Sequence, residues 1–159
     1  SWNTSKGEDR HRRGLYTFFK RTAPHPDLTT FDCPDANITN VKRTVSNTPL
    51  QALTTLNAEA FAEAAQAMSR RLLSGPPASD EERLGPAVRL CLARPPSGRE
   101  ITALKKLLHE SRDWYQANAA AAAEAAGSGT VKDVPASESA AWTATLRIVL
   151  NMDEFITRG

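Results

Sequence analysis

The sequence predicts a mainly α-helical protein in which an irregular N-terminal segment is tied onto a small bundle of about four to five helices. Three observations carry this. Alanine is abundant while aromatics make up only 6% of the 159 residues, a composition that suits helix-on-helix contact through small side chains better than a thick sheet core. From Ser46 onward, apolar residues recur at three- and four-residue spacing behind recognisable helix starts. Neither an alternating pattern fit for a multi-stranded sheet nor a repeat period is present. The length and the 40% hydrophobic content suit one domain with a real core.

Residues 1–47 read as an irregular, basic-biased segment and residues 48–159 as the helical bundle. The chain opens on SWNTSKGEDRHRR, polar and without an initiator methionine or signal peptide, so the expectation is one domain fragment cut from a longer protein. LYTFFK reads as a short apolar strand or helical turn feeding the core. In SNTPLQALTTLN, Asn47 or Thr48 caps a helix whose first residue is Pro49, where the missing N–H costs nothing. Leu50, Leu53 and Leu56 follow at helical spacing. Asn57 stands as a second cap before Phe61, Ala64, Ala65, Met68 and Leu72, which fits one bent helix or two short ones.

Ser79 or Asp80 caps the next helix, with Leu84, Val88, Cys91 and Leu92 on its apolar face. Pro86 lies inside that pattern, where it removes a hydrogen bond and crowds the preceding turn, so a kink or a late start at Pro86 is expected. After the Arg94–Pro95–Pro96 turn, Ser97 and Glu100 form a capping box. Ile101, Leu104, Leu107, Leu108, Ser111, Trp114 and Tyr115 then mark a long amphipathic helix running toward the alanine tract at 119–126. GSGTVKDVPAS reads as a mobile linker. A final helix beginning near Ser137 carries Trp142, Leu146, Val149, Leu150 and Phe155 to the terminus, and Trp114 and Trp142 are both expected in the core.

The formal charge of +2 is too mild to announce a nucleic-acid or membrane partner. Before Ser46 there are eight lysines and arginines against five acids, a net of +3, but the interspersed carboxylates suit internal pairing. RHRR and KRT, interleaved with Tyr16, Phe18 and Phe19, resemble a nucleic-acid surface only superficially, and nucleic acid is not an expected partner. The two cysteines, Cys33 and Cys91, form no local metal knuckle. No CxxCH and no histidine pair at i, i+4 occurs, so neither metal nor haem has a ligand set within this chain. No apolar run approaches the roughly 20 residues of a membrane span.

GEDRHRRGLYTFFKRTAPHPDLTTFDCPDANITNVKRTVSNTPLQALTTLN resembles the planctomycete PSD-type domain of unknown function. LARPPSGREI and AAWTATLRIVLNMDEFI are similar to its later motifs. The resemblance spans nearly the whole chain, departing at Gly85, Pro86 and His11. It implies the C-terminal part of a large extracytoplasmic protein, periplasmic or secreted, whose upstream part often carries a cytochrome c domain. It also implies that the partners of this chain are the upstream domains of its own polypeptide, and that any haem belongs to those domains.

His25, Asp32 and Asp35 form the constellation with the most catalytic character. Two carboxylates and an imidazole suit general acid/base hydrolysis, on polysaccharide for example, if residues upstream complete the site. Against this stands a structural reading, and it outweighs the catalytic one. The aspartates tie loop amides and pair with Arg12, Arg13 or Arg43 in a polar cluster that includes Asn47, Gln51 and Asn57. The chain is therefore expected to be a noncatalytic scaffold or interaction module, with the hydrolase half-site as the competing reading.

Overall fold

The computed structural model describes residues 5, 7–20, 22–35, 37–42, 44–129 and 131–157. Among them are eight α-helices and no strand. The chain divides into two compact units, residues 1–54 and residues 55–159.

The N-terminal unit begins with two 3-10 turns, Gly7–His11 and Gly14–Tyr16, followed by the five-residue α1, Pro26–Thr30. An extended loop leads into α2, Pro49–Asn57, within which the division between the units falls. Thr48 and Gln51 close the start of α2 reciprocally. The Thr48 hydroxyl accepts from the Gln51 amide at 3.3 Å and the Gln51 Oε1 accepts from the Thr48 amide at 2.9 Å, a capping box that the T-P-L-Q spacing encodes. LYTFFK does not feed a core: Leu15, Tyr16 and Phe18 are 79%, 68% and 73% exposed. The 3-10 turn at Gly14–Tyr16 is too short to bury a face.

The C-terminal unit holds the apolar core. It comprises α3 (Glu59–Leu73), α4 (Asp80–Leu92), α5 (Gly98–Ala117), α6 (Ala119–Ala126), α7 (Ala136–Val149) and α8 (Asp153–Ile156). Helix α7 is central, packing against α3, α5 and α6. It buries eight of its fourteen residues, three of them serine or threonine, as expected of a helix with neighbours on several sides. Trp142 is fully buried with Leu84, Val88, Leu104, Leu108, Ala141 and Val149, and a second cluster joins Ala65, Met68, Ala87, Leu146 and Leu150.

Several boundaries differ from the sequence expectation. Ala58, in extended conformation and without a side-chain cap bond, separates α2 from α3, so there are two helices and Asn57 ends the first. Helix α4 starts at Asp80 on a Ser79–Glu82 capping box and continues through Pro86. The late start does not occur because the cap and the three acids of the first turn stabilise the N-terminal half. Helix α5 does not run into the alanine tract. Asn118, at φ −128° and ψ 69°, breaks it while its side chain donates to the Trp114 carbonyl at 2.7 Å. The alanines then form the separate α6, whose Ala122 and Ala126 are buried, since small side chains let it approach α7 closely. Trp114 is 54% exposed, not core. The last helical segment also breaks, at residues 150–152, before α8.

Two arginines pin helix starts. Arg112 donates to both carboxylate oxygens of Asp80 at 2.6 and 2.7 Å and to both of Glu138 at 2.7 Å. It thereby joins the first turns of α4 and α7 to the body of α5. Glu138 also accepts from the Trp142 indole at 2.8 Å. Hydrogen bonds from Arg112 hold the Asp80 carboxyl below its ordinary range and Asp80 and Glu138 keep the guanidinium charged. Arg94 likewise bridges Glu100 and Glu154. Its hydrogen bonds, with those of Ser97, hold the Glu100 carboxyl at about 2.

Candidate functional site

The loop of residues 30–51 gathers its polar groups around one carboxylate oxygen. Asp32 takes a left-handed backbone, φ 55°, a conformation aspartate tolerates better than most residues. Its Oδ2 accepts from the Ser46 amide at 2.8 Å, the Ser46 hydroxyl at 2.7 Å and the Gln51 Nε2 at 3.2 Å. Gln51 is 1% exposed and uses both ends of its amide, since Nε2 also donates to the Thr30 carbonyl at 2.9 Å and the Ser46 hydroxyl at 3.2 Å. A buried primary amide has to be satisfied at both ends, and here that requirement locks the loop to the first turn of α2.

The other candidate acids and bases have local work. The His25 Nδ1 accepts from the Asp27 amide at 3.3 Å, capping α1. Asp35 Oδ1 accepts from the backbone and side-chain amides of Asn37 at 2.9 and 2.7 Å, an Asx turn. Arg12 pairs with Asp9 at 2.7 Å on the exposed surface, where such a bond stabilises little. The Arg13 carbonyl accepts from the Tyr16 amide at 2.9 Å. Asn47 precedes the Thr48 cap, Asn57 ends α2, and Arg43 lies outside the described residues. Of the polar residues singled out in the sequence, the structure brings Asp32 and Gln51 together. Ser46, which belongs to no motif in the sequence, sits between them, two residues before the Thr-Pro-Leu-Gln cap that marks the turn.

Chemically this arrangement is a clamp. Three donors converge on Asp32 Oδ2 and tie that oxygen to the loop and to the start of α2. Among the described residues no group of three histidine, cysteine, aspartate or glutamate side chains is arranged to hold a metal. Among the described residues no helix is long and apolar enough to cross a membrane. Both cysteines are free thiols, Cys33 exposed and Cys91 half-buried, and burial pushes the Cys91 thiol up.

The family model PSD1, described as a protein of unknown function (DUF1553), matches residues 1–108. The chain belongs to this family. No curated protein and no solved structure matches it. The PSD1 match contains the whole Asp32–Ser46–Gln51 clamp and ends within α5, so α6, α7 and α8 lie beyond it.

The surface of the N-terminal unit is unusual in its apolar content. Of the eleven large hydrophobic residues exposed among those described, eight lie between Leu15 and Leu53 and only three in the longer C-terminal unit. Every fully buried apolar residue among those described, by contrast, falls at Ala65 or later. A unit whose described apolar side chains are at most half-buried, as Phe19, Leu28 and Phe31 are, gains little from the hydrophobic effect on its own.

Proposed function

We propose that this PSD1 chain is a noncatalytic interaction module whose N-terminal unit docks onto the upstream part of its own polypeptide, in a periplasmic or secreted planctomycete protein carrying a cytochrome c domain. The observation that carries this reading is the concentration of exposed apolar side chains at Leu15, Tyr16, Phe18, Ile38, Val41 and Val45. Exposed apolar side chains this numerous in one small unit are the material from which interaction sites are built. The family resemblance supplies the occupant, the upstream domains that it implies for the parent polypeptide. The net charge of +3 before Ser46 matches an apolar face with an acidic rim. The clamp supports the noncatalytic half of the reading, since Asp32, Asp35 and His25 all hold backbone amides.

Hydrogen exchange on this chain and on the full parent polypeptide tests the docking. Backbone amides of residues 15–45 should slow by about tenfold or more in the parent, and equal exchange in both would remove the docking surface. A separate arm concerns catalysis. If the parent hydrolyses a glycan and Asp32→Asn abolishes turnover while leaving its unfolding transition in place, the noncatalytic reading fails.

A further inference from the structure

A second feature lies wholly within the C-terminal unit and owes nothing to the docking surface. A cleft of about 320 Å³ opens where α3, α5, α6 and α7 meet, with Gln66, Trp114, Tyr115, Glu124 and Arg147 among its lining residues and alanines for much of the rest. That volume is at the lower end of the range for small-molecule sites. It exists because α6 and the facing turn of α7 present alanines where larger side chains would fill the space.

Two charges share this cleft without neutralising each other. Neither Arg147 nor Glu124 takes part in an ion pair among the described residues. Arg147 donates from Nη2 to the Leu56 carbonyl, but its Nε is buried with no acceptor, the one buried side-chain polar atom so placed among the described residues. A buried guanidinium N–H without a partner is costly, and the forked donors of arginine fit a carboxylate. Glu124 is exposed on α6, and Trp114 offers the cleft an indole ring held edge-on to Tyr115, with centroids 4.8 Å apart. A carboxylate and an indole lining the same cleft can together take an ammonium group.

We infer that this cleft is a binding site for a small zwitterion of the amino-acid class, its carboxylate taken by Arg147 and its ammonium group by Glu124 and Trp114. A simple carboxylate would meet Glu124 as a like charge and a simple amine would meet Arg147, so the pair selects for a molecule carrying both. Gln66 is already held, donating to the Ala125 carbonyl at 3.1 Å, and serves as a fixed wall between α3 and α6.

The test uses the 159-residue chain and three probes of one shape: L-leucine, 4-methylpentanoate and isopentylamine. With about nine non-hydrogen atoms, leucine should bind with a Kd of about 1 mM. It should shift the Arg147 Nε–H and Trp114 indole signals in nitrogen-proton correlation spectra. The two singly charged probes should bind at least about tenfold more weakly. Arg147→Lys should weaken leucine about tenfold through loss of the fork. Glu124→Gln, at an exposed position, should do the same through loss of charge while leaving the fold intact. Unchanged Arg147 and Trp114 signals at 20-fold excess over that Kd would overturn the assignment. So would equal binding of 4-methylpentanoate, or full leucine affinity in Glu124→Gln.

Discussion

Replacing Arg112 with methionine keeps most of the side-chain volume and removes four charge-assisted hydrogen bonds, two to Asp80 and two to Glu138. The three side chains are 23%, 33% and 26% exposed, so the site is neither dry nor fully wet. Breaking a fully buried ion pair costs about 3–5 kcal/mol because a charge is stranded. Partial exposure lowers this to about 3 kcal/mol, which for a chain of this size corresponds to a melting temperature about 6–12 °C lower. The pH dependence gives a sharper test than the magnitude. In the native chain the Asp80 carboxyl titrates below its ordinary value of 3.8, chiefly because of its hydrogen bonds to Arg112, with Lys105 and Arg83 adding smaller attraction. That contribution is present above pH 3.8 and lost as pH falls through the lowered value. The stability gap between Arg112→Met and the native chain should therefore hold steady from pH 7 down to about 4 and shrink as pH falls below 3.8. Urea unfolding followed by far-ultraviolet dichroism, with Trp142 emission as a second probe, measures both. A loss under about 0.5 kcal/mol at pH 7, or a gap that does not change with pH, would refute the reasoning.

Other outcomes follow from local geometry. Ala93 ends α4 in the left-handed region at φ 57°, so Ala93→Gly should raise stability by about 0.5–1 kcal/mol in the same urea assay. Gly127 ends α6 at φ 74°, and a Cβ there would lie 2.5 Å from Gln66 Oε1; Gly127→Ala should lower the melting temperature, by about 1–3 kcal/mol equivalent. Glu100, held at about 2 by Arg94 and then by Ser97, contributes stability that is complete above 4.5 and lost as pH falls toward 2. Glu100→Gln should flatten the acid limb of the stability profile over that window. Asp32→Ala removes the acceptor shared by Ser46 and buried Gln51, so residues 30–51 should become more sensitive to limited proteolysis, with a local cost of about 1–3 kcal/mol.

Helix existence was readable because capping chemistry is local. Ser97 with Glu100, and Pro49 behind Thr48, announce their helices within four residues. Breaks were harder to see, because Asn118 and Ala58 interrupt runs whose propensity favours continuation, and only packing against α7 decides where the chain turns. The exposure of Trp114 departs from the helical pattern for a related reason. Its position in the α5 heptad suits a core residue, but α6 leaves that end of the helix open. The Asp32–Gln51 clamp was half visible as a cluster of polar residues near a cap. The link through Ser46, fourteen residues from Asp32, requires the loop path. Arg147 and Glu124 carry no signal in the sequence, since their meeting on one cleft depends on how α6 packs against α7.

The central place of α7 has a consequence for how the family is delimited. Residues 1–108 carry the PSD1 signature, yet the helix that α3, α5 and α6 all lean on begins at Ala136. A polypeptide cut at the signature's end would keep α3, α4 and half of α5 with their apolar stripes facing water. The stretch that identifies the family and the stretch that can fold on its own are different lengths of chain.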